Sequence, residues 1–368
     1  MSMLYTSLKN RDFYWALFFT FFFSNGFSQE KKEYKIVTVA FYNLENLFDT
    51  EDDPLTFDDD RTPEGKDHWT EEIYRDKLRN MAFAISRIGT EKAKIPPVLL
   101  GVCEVENRKV LEDLVKEPIL AGYDYGIIHY DSPDQRGIDV ALLYQKEFFA
   151  PKNSASHELL IFDSFDPKKR IYTRDQLVVS GLLNGEEIHV LVNHWPSRSG
   201  GAAASSYRRE KAAFLNKKII DSLQRKDPYA KIITMGDFND DPSDKSLRSI
   251  LGAKPSKENL EIKDLYNPMA AFSKKGIGSS AYRDGWNLFD QIILSRPFLE
   301  KDYSSYQFYQ AKIGNENHLI TTSGQYKGYP FRSFGYGGYT GGYSDHFPVY
   351  IYLIKESTKS GLFSETEK

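Results

Sequence analysis

Residues 231–241 read KIITMGDFNDD, and the interpretation of the whole chain turns on them. Ile232, Ile233 and Met235 predict a short buried strand, which Gly236 releases into a turn. Asp237 and Asn239 follow two residues apart, so in extended or turn backbone their side chains share a direction. A carboxylate beside a neutral amide suits chemistry on a phosphate. The carboxylate holds a metal or takes a proton, and the amide NH2 bonds a phosphate oxygen without adding repulsion. An Asp/Asn-rich strand-to-loop turn has the same composition, so the stretch alone leaves turn and site both open.

The chain has 368 residues, 40% hydrophobic and 27% charged, an ordinary soluble composition. Its 25 Phe and 24 Tyr predict an aromatic-rich core or binding surface. At the start, Lys9 and Arg11 precede an apolar run from Phe13 to Phe23, followed by Ser24, Asn25, Gly26 and Ser28. That order predicts a secretory signal peptide over residues 1–28 and hence an exported protein; the run is too short to span a bilayer comfortably. The formal net charge is −4, and loss of Lys9, Arg11 and Asp12 with the leader makes the mature chain one unit more negative. This excludes a broadly basic nucleic-acid binder: a polyanion must be held by a local patch or through metal ions. Cys103 is the sole cysteine, so stability rests on the packed core rather than on an intramolecular disulfide.

Strands are expected at residues 34–42, 97–102, 125–129, 138–144, 174–183, 187–192, 286–295 and 347–354, with Asn184-Gly185 turning a hairpin. Thr70 is placed to cap a helix that Gly89 stops, and residues 206–224 predict a second long helix. Between the first strand and first helix lies an acidic run (Asp49, Glu51, Asp52, Asp53, Asp58, Asp59, Asp60), which lacks the spacing of a calcium-binding EF loop and predicts a solvated loop. No repeat or Pro/Gly/Ser linker divides the chain, so one domain is expected over residues 29–356, with a polar tail at 357–368.

One pattern recurs: a buried strand ends and polar residues able to bind metal or phosphate follow at once. It occurs at Asn43, Glu104, Asn193-His194 and Asp237/Asn239, while Asp345-His346 sits just before the last strand. Strand ends on a shared sheet edge converge in space, so distant segments can build one site. Asp290 lies inside an apolar run, where a carboxylate needs a partner such as histidine.

The ordered set Asn43 with Glu45, Glu104, Asn193-His194, Gly236-Asp237-Phe238-Asn239, Asp290 and Ser344-Asp345-His346 resembles the endonuclease/exonuclease/phosphatase (deoxyribonuclease I-like) superfamily over residues 35–354. The resemblance implies an α/β fold, a four-layer sandwich of two packed, mostly antiparallel β-sheets flanked by helices. It further implies Mg2+-dependent hydrolysis of a phosphate ester, with Mn2+ or Ca2+ as alternative ions. Carried over by position, Glu104 is the principal metal ligand, with Asn43 and Asp345 in support. His194 and His346 form a histidine pair at the phosphate and Asp290 orients His346; either Asp237 or the Asp290–His346 pair is the base, Asp237 otherwise positioning the nucleophile, and Asn239 donates to a phosphate oxygen. Asp139 is a looser candidate for orienting His194. Asn193, Arg198, Arg136 and Arg208 lie near the motifs as candidate substrate contacts, and residues 331–343 as a Gly/Tyr-rich site wall. His68, His129, His157, His189 and His318 lack such context.

The substrate follows less directly. An exported monomeric nuclease acting on DNA or RNA comes first, and a sphingomyelinase-like lipid phosphodiesterase is the rival reading. A catalytically inert binding module on the same fold is the third, although it would have no reason to keep the full polar set.

Overall fold

The computed structural model describes residues 32–357; the leader expected over residues 1–28, and residues 358–368 of the expected tail, lie outside the described residues. In chain order the first strands of the two large sheets are β1 (Tyr34–Leu47), β2 (Leu99–Val105), β3 (Tyr125–His129), β4 (Asp139–Gln145) and β5 (Phe149–His157). They continue as β6 (Gln176–Leu183), β7 (Glu186–His194), β8 (Ile232–Asp237), β9 (Ala253–Lys254) and β10 (Leu265–Tyr266). The last three are β11 (Asp290–Ser295), β12 (Gln307–Ile313) and β13 (Val349–Glu356). One sheet has six strands in the order β12-β13-β1-β2-β4-β3, and the other seven in the order β9-β10-β11-β8-β7-β6-β5. Each is mostly antiparallel, with β1/β2, β7/β8 and β9/β10 as parallel pairs.

Period-two alternation decides which side chains meet between the sheets. Ile233 and Met235 of β8 join Val190 and Val192 of β7, and Ile292 and Leu294 of β11, in one core with Val39, Phe41 and Ile351 of the other sheet. The two sheets pack so closely that a Cβ on Gly101 would lie 2.9 Å from the Met235 Cε. The opposite faces of β7, β8 and β11 send Leu191, Ile232 and Ile293 to a second core, completed by Ala212, Ile219 and Ile220 of the long helix α3 (Ala202–Lys226). Helices α1 (Glu71–Arg87), with Leu78, Met81 and Ile85 buried, and α2 (Arg108–Lys116), with Leu111 and Leu114 buried, complete the outer layer on the six-stranded sheet. The expected sandwich of two sheets flanked by helices is the observed fold. Among the described residues no helix is long and apolar enough to cross a membrane.

The local signals behave as their chemistry requires. Thr70 accepts from the Ile73 N–H at the start of α1, and Gly89 takes φ +73° just past its end. Asn184 (φ +48°) and Gly185 (φ +86°) form the hairpin turn between β6 and β7, both in the left-handed region such a turn needs. Two expectations need correction. Residues 286–295 are not one strand: Gly285–Asn287 pairs with Ser280–Tyr282 in a small hairpin, and β11 begins only at Asp290. The break is held by Asp241, which accepts the Leu288 N–H, and by Phe289, whose carbonyl accepts the Phe238 N–H. The acidic loop after β1 is not uniformly solvated either, since Asp49 (4% exposed) and Asp58 (2% exposed) are buried.

Candidate active site

Strand direction brings the polar residues together. β1 and β2 run parallel and end at one edge, as do β7 and β8, while β11 and β13 run back from the same edge. Register then sets Asp237 beside His194 on one side and beside Asp290 on the other. Parity adds the direction. Asp237 continues the inward face of Ile233 and Met235, His194 that of Val190 and Val192, and Asp290 that of Ile292 and Leu294. Asn43 likewise follows Val39 and Phe41. Glu104 reaches the site differently. It occupies a bulge in β2 with φ +58°, which re-aims its side chain out of the regular alternation. Glu45, Asn46 and Asn239 also have positive φ, so left-handed residues gather at this edge.

The contacts define a dyad and a carboxylate centre. His346 Nδ1 lies 2.6 Å from Asp290 Oδ2, which also accepts the Ser279 hydroxyl at 2.5 Å. His346 Nε2 is 3.9 Å and His194 Nε2 3.8 Å from Asp237 Oδ2. His194 Nε2 is also 3.9 Å from Glu104 Oε1. Asn43 Nδ2 donates to both Glu104 Oε1 (3.3 Å) and Asp237 Oδ2 (3.2 Å), and its Oδ1 accepts the Glu45 N–H (2.9 Å). With its oxygen occupied and its NH2 facing the carboxylates, Asn43 ties the two acids together. In this arrangement Asn43 adjoins the expected metal ligands, and the supporting part that the resemblance implies for it is direct or through water. Ser344 takes the Asn43 carbonyl at 2.7 Å and accepts the His346 N–H at 3.1 Å, joining β1 to the dyad segment.

The two histidines are held in different charge states. Burial costs the His346 imidazolium, but the Asp290 carboxylate bonded to it and the nearby Asp237 outweigh this, so its pKa lies well above the usual 6.5. His194 is pushed well below 6.5 by burial and by the Arg174 and Arg136 guanidiniums, so it is neutral at pH 7. Its Nδ1 is buried without a partner, whereas Nε2 faces the Glu104 and Asp237 carboxylates, which favour the proton there. Asp237 is raised to about 7, chiefly by burial, with His346 opposing.

The donor chemistry fits a hard divalent cation. Glu104 has no lysine or arginine within 4.0 Å among the described residues; its one nearby basic group is the neutral His194. Glu104, Asp345 and Asp237 supply carboxylate oxygens, and Glu104 and Asp345 stay partly open to solvent (side chains 15% and 39% exposed). The group Asp237, Asp290 and His346 is also compact enough to hold an ion, but His346 Nδ1 is already committed to Asp290.

Several sequence candidates sit elsewhere. Asp139 does not orient His194: it bonds His129 Nε2 at 2.9 Å and the Ser132 hydroxyl at 2.5 Å, so His129 has a partner after all. Asn193 points the other way, toward α3, because it is one residue out of phase with His194. It donates to Thr234 Oγ1 (3.0 Å) and the Met235 carbonyl (3.0 Å), and accepts from Asn216 (2.7 Å). Its substrate-contact role is replaced by a structural one. Asn193→Ala strands the Asn216 and Trp195 N–H donors, so unfolding in urea should show a loss of about 2–4 kcal/mol with KM of the folded fraction unchanged. Arg198 is likewise spent, on the Asn239 carbonyl (2.8 Å) and on Asp240, Asp241 and Asp244. Asn239 gives its Nδ2 to the Trp195 carbonyl and its N–H to Asp237 Oδ1, which fixes the Asp237 carboxylate. Arg208 leans on Tyr207. Arg136 remains half-exposed on the His194 side. The chain also contains an arginine that sequence reasoning passed over, Arg332, half-exposed beside Asp345 (3.6 Å) and anchored on buried Glu45. Its signal was that it is the one charged residue in the Gly/Tyr-rich stretch 331–343.

The family model described as Endonuclease/Exonuclease/phosphatase family matches residues 38–355, and the chain belongs to that family. Among solved structures it is similar to humanized D. rerio TDP2 (TM-score 0.52, 13% identity, 87% of this chain and 99% of that one covered). An endonuclease/exonuclease/phosphatase family protein from Bacteroides thetaiotaomicron is similar to the same degree (TM-score 0.52, 17% identity, 88% and 97% covered). A third is D. rerio TDP2 complexed with single strand DNA product (TM-score 0.51, 13% identity, 86% and 98% covered). No curated protein matches the sequence.

Proposed function

We propose that this protein is a divalent-metal-dependent phosphodiesterase, exported by its leader, that hydrolyses nucleic acid by in-line attack of water. The observation that carries this reading is the meeting of Asp237 with two histidines of opposite charge state, one paired to buried Asp290 and the other neutral. A cation held by Glu104 and Asp345, with Asp237 adjoining, would polarise the phosphate and offset charge on the leaving oxygen. Asp237 orients water and takes its proton; a carboxyl near 7 is poised for that task. The His346 imidazolium faces the charge that develops on the phosphoryl oxygens, and Asp290 keeps it protonated and aligned. Neutral His194 donates from Nε2 to a phosphate oxygen. Arg136 on the His194 side and Arg332 on the Asp345 side favour a polyanion with flanking phosphates over a small monoester. The crystallised complex of D. rerio TDP2 with a single strand DNA product supports the same choice.

The test compares supercoiled plasmid, sphingomyelin and bis-p-nitrophenyl phosphate, with Mg2+ and with EDTA, beside His194→Ala. Plasmid nicking that EDTA abolishes and His194→Ala lowers ~100-fold is expected. Turnover of sphingomyelin alone would move the assignment to lipids, and no turnover of any ester would sink the enzymatic reading.

A further inference from the structure

The acidic loop between β1 and α1 holds a second convergence of carboxylates. Asp52, Asp58 and Asp59 each bring one oxygen within 4.8 Å of the other two. Asp58 is the unusual member. It is 2% exposed; its Oδ2 accepts the Asp53 N–H at 3.0 Å, and its Oδ1 is buried with no hydrogen-bond partner. One oxygen of this same buried carboxylate belongs to the cluster. A buried carboxylate oxygen without a donor is costly, and more so beside two other acids. The local cations are committed elsewhere. Arg61 pairs with Asp67 through Nε (3.3 Å), its Nη1 being buried without a hydrogen-bond partner, Lys66 pairs with Asp60 (3.7 Å), and Lys109 with Asp49 (3.1 Å). Among the described residues no lysine or arginine lies within 4.0 Å of the three carboxylates.

We propose that Asp52, Asp58 and Asp59 form a site for a hard divalent cation of the Ca2+ class, separate from the phosphate-ester centre. Three carboxylates from one irregular loop, two of them exposed, suit Ca2+, which accepts a flexible shell completed by loop carbonyls and water. Mg2+ demands a regular octahedron that such a loop does not preform. The loop is compact apart from the cation: the Asp58 carbonyl accepts the Arg61 N–H, and Gly65 lies so close to the Asp59 carbonyl that no Cβ would fit there. It also braces both arginine-bearing walls of the site. The Phe57 N–H bonds the Gln135 carbonyl (2.7 Å), next to Arg136, and the Arg61 guanidinium stacks 4.5 Å from the Phe334 ring, two residues from Arg332. A cation here neutralises the loop and fixes these walls without touching the ester.

Calorimetric titration of Ca2+ into the full-length mature protein, stripped with EDTA, tests this. The Glu104→Gln background silences the other carboxylate centre. One Ca2+ per chain and a Ca2+-dependent rise in Tm are expected there. Adding Asp52→Asn with Asp59→Asn, both exposed, should weaken Ca2+ at least tenfold and remove the Tm rise, while Tm in EDTA stays the same or increases. The exposed pair keeps the result independent of any folding defect in Asp58→Asn. A control pair, Asp53→Asn with Asp60→Asn, should leave Ca2+ affinity within about twofold. No Ca2+ uptake by Glu104→Gln, or equal weakening by the control pair, would overturn the site.

Discussion

Asp237→Asn is expected to lower kcat ~1000-fold or more while leaving the fold and substrate affinity nearly intact. The amide oxygen can still accept the Asn239 N–H that now meets Oδ1, so the turn keeps its shape, and Asn43 Nδ2, which loses its acceptor at Oδ2, retains Glu104 Oε1. What disappears is the acceptor for the proton of water, at a point 3.8 Å from His194 Nε2 and 3.9 Å from His346 Nε2. The pH profile separates this role from a positional one. Burial raises the Asp237 carboxyl to about 7, so the active carboxylate form is lost as pH falls through that value. Activity of the wild type should therefore fall on the acid side with unit slope near pH 7, or lower once a bound cation shares the carboxylate's field. The alkaline limb belongs to His346, whose protonated form Asp290 extends well above pH 6.5. In Asp237→Asn the residual activity should lose the acid limb and keep the alkaline one. An unchanged acid limb would assign the base to another group.

Much of this centre was legible because a polar residue at the end of a buried strand is expensive without a purpose. Parity was the finer signal. His194 shares the phase of Val190 and Val192, whereas Asn193 shares that of Leu191, so alternation alone separates the site residue from the one that faces α3. The sequence could not show where alternation breaks. Glu104 faces the centre through a bulge at φ +58°, and Asp290 opens β11 because Asp241, in the turn after β8 and 47 positions earlier in the chain, captures the Leu288 N–H. Pairings set by tertiary packing were equally hidden. Asp139 met His129 across adjacent strands rather than His194, and nothing local in RGID distinguishes the two. Ser279, which holds Asp290 from a loop of small residues, carries no sequence signal.

Glu45→Gln is expected to be among the most destabilising single changes at neutral pH, about 3–5 kcal/mol, because it removes one side of a buried ion network. Glu45 is 3% exposed and accepts four hydrogen bonds: two from Arg332, one from the Ser333 N–H (2.6 Å) and one from the Ser333 hydroxyl (2.8 Å). Behind it lies Lys77 of α1, fully buried, donating to Ser333 Oγ (2.7 Å) and the Tyr343 carbonyl (2.7 Å). Burial lowers the Lys77 pKa to about 8, and Glu45 is the foremost group holding it up. The sign of the linkage follows. Between the folded-state value and 10.5 the unfolded chain binds the extra proton, so the Lys77 contribution to wild-type stability rises with pH across that window. Without the Glu45 charge the folded-state pKa drops further, and the charged amine is most costly below pH 8. Urea denaturation should therefore show the Glu45→Gln deficit greatest at pH 6.5 and smaller at pH 9, where Lys77 is neutral in both proteins. In a Lys77→Met background the same substitution should cost less, and its pH dependence over that range should vanish. A deficit that grows with pH would mean that Glu45 acts on stability through Arg332 and the Gly/Tyr wall alone, and not through the buried lysine.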